Sequence, residues 1–292
     1  MTWKEVLKRL VQNKLSLVGI LIILFFAVVA IVAPWIAPPE DPDEPYNIPR
    51  RGWGVDPQPP NSEYIMGTSQ GQYDIFYGMV WGTRTAFRIG FIVVGISTLI
   101  GIIIGTVAAY YGGWIDEIIM RITDVFLSIP FLIAAIVFVT ILGRGLGNVM
   151  IALVTFGWMS TARLMRSQVL EVKSEEFVEA AGAIGAGDIR IILRHILINC
   201  IFPVLIQASM RMGSMVITAS ALSFLGVGAP EGYADWGQLI NFARHWIVGS
   251  SDSAFQYWYT LIFPGAAISL FCLSWNLVGD AFRDILDPKL QT

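Results

Sequence analysis

Few side chains in this chain of 292 residues have the types and spacing that catalysis requires. The two histidines, His195 and His245, are far apart in the sequence and belong to no Ser/His/Asp or metal-binding pattern. None of the five lysines follows a glycine, so the chain lacks the Gly-x-x-x-x-Gly-Lys-Ser/Thr loop that holds nucleotide phosphates. Cys200 and Cys272 lie in apolar segments and indicate neither a disulfide framework nor a metal site. We expect no catalytic residue, no metal and no cofactor in this chain.

The most informative residues form a loop of very small side chains. It reads Glu-Ala-Ala-Gly-Ala-Ile-Gly-Ala-Gly-Asp from Glu179 to Asp188, and a basic run continues to His195. Because these residues have so little bulk, the surface of another protein can approach the backbone closely. An ordinary solvated loop is the alternative. The candidate docking residues are Glu179, Ala180, Ala181, Gly182, Gly185, Gly187 and Asp188.

The same loop predicts two short helices that are separated by a break from Gly185 to Gly187. Glu175 and Glu176 suit the first turn of the first helix, because a helix N-terminus favours negative charge. Asp188 is expected to cap the second helix through its carboxylate.

Composition places these elements in a membrane protein. Hydrophobic residues make up 55% of the chain and charged residues 14%, whereas soluble chains carry about 25% charged residues. A helix crosses the roughly 30 Å of hydrocarbon with about 20 apolar residues. We predict an all-α integral membrane protein with six transmembrane helices, at residues 16–37, 86–111, 118–142, 149–165, 196–225 and 258–278.

The basic residues predict the orientation, since cytoplasmic loops carry an excess of lysine and arginine. With six crossings, the termini and the Glu179 loop share the side with most of the basic residues. The opposite side keeps Arg50, Arg51, Arg144 and Arg244, with Arg84 near a membrane edge. Both termini and the Glu179 loop are therefore predicted to be cytoplasmic.

The organisation along the chain follows from these spans. We predict a cytoplasmic interfacial helix at 1–14, a first transmembrane helix at 15–37 and an extracytoplasmic Pro-rich loop at 38–85. The first span is too long for a cleaved signal peptide. A transmembrane core follows at 86–280, with a cytoplasmic loop near 167–195 and an extracytoplasmic loop near 228–257, before a cytoplasmic tail at 281–292.

Several motifs resemble those of permease subunits in binding-protein-dependent ABC importers, and in particular the shorter permease of the dipeptide/oligopeptide branch. Glu179-Ala-Ala-x-x-x-Gly185 resembles the cytoplasmic coupling motif of that family. The other similar stretches occur in the family's order along nearly the whole chain: 13–19 with 33–38, 112–117, 221–228, 236–237, 276–280 and 286–288.

The resemblance implies the type I ABC importer permease fold in the inner membrane of a prokaryote. It also implies a heterodimer with a second homologous permease, two ATPase subunits that carry ATP and Mg²⁺, and an extracytoplasmic solute-binding protein. Nucleic acid is not an expected partner. The solute is expected to be a small peptide. Oligosaccharides stay open because the external side is rich in aromatic residues, and a secondary transporter or a channel subunit is the alternative of another class.

Two further sites are candidates under this interpretation. Arg211 lies in the fifth span, where an arginine facing lipid costs roughly 2.5–3.5 kcal/mol, so it should face the interior. Either it lines the solute pathway with Ser214, or it pairs with Asp124 or with an acid of the partner permease. Trp236 and Gly237 are candidates for contact with the binding protein or for a segment that dips back towards the pathway, and a plain interfacial anchor is the alternative.

Overall fold

The computed structural model describes residues 13–247 and 256–286. The predicted interfacial helix at 1–14 lies almost entirely outside the described residues, as does the tail from 287 onward. No strand occurs in the described ranges, where β-type pairing is limited to isolated bridges. The all-α class is thus confirmed. The helices are α1 Lys14–Ile36, α2 Ile75–Tyr111, α3 Gly113–Leu127, α4 Phe131–Leu142, α5 Leu146–Gly157, α6 Met159–Lys173, α7 Glu176–Ala183, α8 Asp188–Phe224, α9 Trp236–Ile247 and α10 Trp258–Leu286.

Four helices of the described chain are long and apolar enough to cross a membrane, namely α1, α2, α8 and α10. The pair α3–α4 adds a fifth only if the two are taken together, since they bend by 85°. The bend falls where Pro130 precedes α4 and interrupts the third predicted span. The fourth predicted span, 149–165, is divided at Trp158 into α5 of 12 residues and α6 of 15 residues.

The bounds of α2 and α8 differ from the sequence prediction. α2 begins at Ile75, well before residue 86, because the Asp74 carboxylate accepts the backbone N–H of Tyr77 at 3.1 Å and caps the helix. Because Arg84 and Arg88 lie in this part of the helix, the hydropathy pattern does not mark it as part of an apolar span. α8 begins at Asp188 and continues into the predicted fifth span, so the second helix of the small-residue loop is not a separate short one.

α2 connects two ends of the molecule. It has 37 residues, which corresponds to about 55 Å, and contains one π turn at Gly90–Val94. Its first turns contact α9, and its last turns contact the start of α8. These are called the α9 end and the α7 end below. Between them α2 packs closely on α6, where a Cβ at Gly105 would lie 2.3 Å from the Ala162 carbonyl oxygen.

Aromatic side chains form the core at the α9 end. The rings of Phe26, Trp236 and Phe271 lie 5.6–5.8 Å apart and join α1, α9 and α10. Glycine makes room for the indole, because a Cβ at Gly82 would lie 2.7 Å from it. The predicted extracytoplasmic loop near 228–257 therefore contains a helix, α9, that is built into the bundle.

The segment between α1 and α2 is irregular and runs across the α9 end. Isolated bridges pair Asn47 with Tyr233 and Arg50 with Tyr73. Arg51 adds ion pairs to Glu40 at 2.9 Å and to Asp74 at 3.0 Å. Exposed ion pairs contribute little stability, and the segment is also attached through buried side chains such as Ile48.

Candidate functional site

The small-residue loop forms a short helix and a tight turn at the α7 end. α7 ends at Ala183, and Gly185 adopts a φ of +88°, a left-handed conformation that glycine tolerates best. The predicted break is present. The predicted cap is wrong, because Gly187 occupies the capping position and Asp188 is already the first residue of α8. The Asp188 carboxylate instead accepts a hydrogen bond from the Tyr110 hydroxyl at 2.9 Å.

The outer surface of this loop is open. A Cβ at Gly182, Gly185 or Gly187 would meet no other atom within 4 Å. Ile184 is 87% exposed between these glycines. Glu179, Ala180 and Asp188 are also exposed. Among the candidate docking residues, Ala181 is the exception, since it is buried and faces the bundle.

The inner surface of the loop is firmly attached to three long helices. Val178 and Ala181 of α7 pack in a buried cluster with side chains of α2, α6 and α8, among them Ala109, Met165, Val169, Ile191 and Ile196. The ammonium group of Lys173 donates to the Tyr110 carbonyl oxygen and ties the end of α6 to α2. The loop is therefore packed against all three of these helices.

An ion pair connects α3 to α6 beside this cluster. The Arg166 guanidinium donates to both carboxylate oxygens of Asp116 at 2.6 Å each. Bidentate pairs of this kind combine charge with a fixed geometry. The residue pattern of the sequence predicts neither this contact nor the bond between Tyr110 and Asp188. Asp116 does lie in one of the family-like motifs, but the sequence carries no signal for its partner.

Arg211 lies within α8 and binds the break between α5 and α6. Its Nη1 donates to the Thr161 hydroxyl at 2.6 Å, and its Nη2 donates to the Gly157 carbonyl oxygen. No carboxylate of the described ranges lies within ion-pair distance of it. The proposed pair with Asp124 is wrong, because Asp124 binds Arg163 of α6 instead. Ser214 is exposed, and its hydroxyl donates to the Arg211 carbonyl oxygen at 3.1 Å.

Trp236 and Gly237 lie at the start of α9, inside the bundle. Trp236 is 1% exposed, and its indole N–H donates to the Met79 carbonyl oxygen at 3.1 Å. Gly237 faces the backbone of Ser220. Asp235 caps α9 by accepting the N–H of Gln238 at 2.9 Å. In this conformation the indole offers no surface to a partner protein, and the segment folds back onto α8 and α10.

A cavity of about 400 Å³ opens at the α9 end. Tyr73 forms part of its support, since its ring stacks on Phe242 at 4.9 Å and its hydroxyl donates to Glu231 at 3.2 Å. Burial raises the pKa of Tyr73, so its hydroxyl stays protonated at neutral pH. The lining comes from four separated stretches of the chain, at Arg50 and Val55, Gln70 and Gly71, Arg144, and residues from Gly226 to His245.

Comparison with known proteins assigns the chain to a family. Residues 97–292 match the family described as the inner membrane component of binding-protein-dependent transport systems. Residues 2–60 match the N-terminal transmembrane domain of oligopeptide transport permease C. The chain belongs to this family of ABC importer permeases. It is therefore a multi-pass membrane protein whose family members translocate solutes and are not themselves enzymes, and the secondary-transporter and channel alternatives no longer apply.

Relatives resemble this permease over almost its whole length. The dipeptide transport system permease protein DppC of Alkalihalophilus pseudofirmus is 37% identical over 99% of this chain and 91% of its own length. The glutathione transport system permease protein GsiD of Pectobacterium atrosepticum is 36% identical, over 99% and 92%. A solved structure of the MetNI methionine ABC transporter in an inward-facing conformation has a TM-score of 0.57 at 17% identity, and covers 73% of this permease and 98% of that chain. This similarity supports the fold.

Proposed function

We propose that this permease forms half of the pathway for ATP-driven uptake of small peptides across the inner membrane of a prokaryote. Two relatives named for dipeptide transport and others named for glutathione transport support a peptide as the solute. The observation that carries the coupling role is the α7 loop, which is open outside and attached inside to α2, α6 and α8. Six crossings, with α3–α4 and α5–α6 each counted as one, put both termini and the α7 end in the cytoplasm.

The proposed assembly contains a second homologous permease, two ATPase subunits beneath and an extracytoplasmic binding protein above. ATP and Mg²⁺ belong to the ATPases, and this permease contributes neither a nucleotide site nor a bond-making step. Its docking residues are Glu179, Ala180, Gly182, Gly185, Gly187 and Asp188, with Ala181 supporting them from below. These residues receive the movement of an ATPase.

The movement is transmitted because the long helices behave as rigid elements. α7 shares its buried cluster with α6 and α8, and Arg166 joins α6 to Asp116 of α3. A displacement of α7 therefore rotates several helices together rather than deforming one loop. α2 and α8 have 37 residues each and extend this rotation to the α9 end. The pathway between the two permeases then opens alternately to either side.

Arg211 and Ser214 are proposed to line that pathway. Two nitrogens of the guanidinium are held by Thr161 and Gly157, and its charge has no acidic partner among the described residues. A fixed positive charge inside the membrane can attract the carboxylate of a passing peptide. The exposed hydroxyl of Ser214, nearly one turn further along α8, adds a second polar group on the way.

The aromatic residues of the external side give mixed support for an oligosaccharide. Trp258 is 49% exposed, but four others are buried in the core, namely Tyr73, Tyr77, Trp81 and Trp236. Their faces are occupied by other rings. A small peptide is therefore the proposed solute, and an oligosaccharide stays the alternative.

Copurification and uptake test the proposal together. The affinity-tagged permease, expressed with its neighbouring genes, should retain a second permease and two ATPase subunits. Proteoliposomes of that complex should take up labelled di- or tripeptides only with ATP and the binding protein. A tagged chain that purifies alone from intact membranes, or a complex that takes up an oligosaccharide and no peptide, would refute the assignment.

A further inference from the structure

The cavity at the α9 end carries a positive charge that no carboxylate of the described residues neutralises. Arg50 lies 3.6 Å from Glu231 across the cavity wall, and both groups also contact the Tyr73 hydroxyl. Their opposite charges therefore compensate each other. Arg144, on the turn between α4 and α5, has no carboxylate within 4 Å among residues 13–247 and 256–286. Among the described residues, the Arg144 guanidinium therefore makes no ion pair that a ligand would have to displace.

The walls of the cavity are held in place by backbone contacts. The N–H of Gly145 donates to the Gly228 carbonyl oxygen at 3.1 Å and fixes the Arg144 turn against the loop after α8. The N–H of Gly71 donates to the Val55 carbonyl oxygen, also at 3.1 Å. A guanidinium on a fixed turn loses less freedom on binding than one on a mobile loop.

The lining suits a short peptide in size and chemistry. A volume of about 400 Å³ falls within the range of roughly 300–1,000 Å³ that is typical of small-ligand sites. Side-chain amides of Gln70, Gln238 and Asn241 supply polar groups, and Phe242 supplies an apolar surface. Asn241 uses its amide N–H on the Phe224 carbonyl oxygen, so its own amide oxygen can accept from a peptide N–H.

Glycine brings the backbone within reach of such a ligand. Gly226 has a φ of +81°, and a Cβ at this position would project into open space. Without that Cβ, an extended peptide can approach the main chain on this side of the cavity.

We propose that this cavity is a carboxylate-binding subsite at the outer entrance of the pathway. The Arg144 guanidinium binds the C-terminal carboxylate of a small peptide, and the amide groups bind its backbone. Arg–carboxylate pairs have matched planar geometry, and this makes arginine the residue suited to the task. The inference rests on the proposed function, since it names the part of the peptide that is recognised. An acidic side chain of the binding protein is the competing occupant.

The test measures uptake of trialanine and of its C-terminal amide by the complete importer with its binding protein. The quantity of interest is the ratio of kcat/KM for the two peptides, before and after Arg144→Gln. Preferences of the binding protein itself cancel in this comparison. We expect Arg144→Gln to lower kcat/KM for trialanine about tenfold, which corresponds to the loss of one charge-assisted hydrogen bond. The kcat/KM for the C-terminal amide should stay unchanged. Arg144→Lys should restore part of the difference.

Arg244→Gln is the matched control. Arg244 is an exposed arginine of α9 at the same end and does not line the cavity, so its replacement should leave both peptides unaffected. An equal loss for both peptides with Arg144→Gln, accompanied by weaker binding of the binding protein, would identify a protein-docking residue and overturn the inference. Unchanged kcat/KM values for both trialanine and its C-terminal amide in Arg144→Gln would overturn the inference as well. If the unmodified importer takes up neither peptide, the proposed function fails first and this inference falls with it.

Discussion

The two ends of this permease are built from opposite kinds of side chain. At the α7 end, the outer surface combines glycine, alanine and a few charged residues with exposed aliphatic side chains such as Ile184, above a small buried aliphatic cluster. At the α9 end, large rings interlock in the core, and glycines are used where those rings need space. Small residues leave a surface that a partner can enter, whereas interlocked rings maintain a shape against force. This difference agrees with the proposal that the α7 end receives movement from an ATPase while the α9 end keeps its geometry.

Charge is distributed in a matching way. The Arg166–Asp116 pair at the α7 end is bidentate at 2.6 Å and partly shielded from solvent. At the α9 end, the pair of Arg50 and Glu231 is longer, at 3.6 Å, and well exposed. Arg51 and Asp74 form a tighter pair at the same end, at 3.0 Å, but neither lines the cavity. The loose pair is therefore the one beside the cavity, where a ligand carboxylate can compete for the cation.

Bulk at the α7 surface should have the largest effect. Gly182→Trp places an indole in open space on α7 without a positive φ, and Gly185→Trp adds backbone strain at φ +88°. We expect both to prevent close approach of the ATPase and to abolish ATP-dependent uptake while the permease stays inserted. The measurements are peptide uptake and copurification of the ATPases.

Gly182→Ala is the control for this prediction and should retain uptake, because a methyl group adds little bulk. Normal uptake and normal ATPase association in Gly182→Trp would show that α7 is an ordinary solvated segment.

A cavity in the aromatic core should weaken the α9 end. Trp236→Ala removes the ring that joins α1, α9 and α10, and should lower the free energy of unfolding by about 3–5 kcal/mol. Thermal unfolding of the detergent-purified complex measures the change. Trp53→Ala serves as control, since this side chain is fully exposed. Equal melting temperatures for the two variants would contradict a structural role for α9.

Loss of the charge in α8 should impair transport more than folding. Arg211→Gln can keep a contact with Thr161 but carries no charge for a peptide carboxylate. We expect uptake to fall about tenfold while the complex remains intact by size-exclusion chromatography. Failure of assembly would assign Arg211 to structure, and unchanged uptake would remove it from the pathway.

The smallest effect is expected from one hydroxyl. Tyr110→Phe removes the hydroxyl that donates to Asp188 and should weaken the contact between α2 and α8 by about 1 kcal/mol. We expect a modest fall in the number of peptide molecules transported per ATP hydrolysed. Tyr111→Phe is the matched control, because its hydroxyl makes no hydrogen bond in the described chain. If the two variants share one coupling ratio, the contact between α2 and the start of α8 does not contribute to coupling.

Local sequence patterns predicted the breaks between helices better than the contacts that individual side chains make. The glycines at 185 and 187 mark the break after α7 because their backbone requirements are local, and Pro130 marks the bend between α3 and α4 for the same reason. The Asp188 cap failed because the choice of capping residue depends on the backbone angles of Gly187, which the residue types do not specify.

Other features depend on contacts between distant parts of the chain. The early start of α2 follows from capping by Asp74, which a hydropathy average does not register. Arg211 was recognised as interior by the cost of exposing it to lipid, but Thr161 and Gly157 were not foreseen as its partners. Trp236 seemed external because loops often carry aromatic anchors, whereas the glycine at position 82 admits it into the core.

The π turn at Gly90–Val94 of α2 sets the angular relation between the two ends. A π turn accommodates one residue more than an α-turn, which corresponds to about 100° of rotation around the helix axis. The side chains that face α9 before the turn and the glycines that face α6 after it depend on this offset. Deletion of one residue within the turn would preserve a continuous helix and yet rotate Gly101 and Gly105 away from α6. The extra residue of the π turn thus sets how the α9-facing side chains of α2 are rotated relative to its α6-facing glycines.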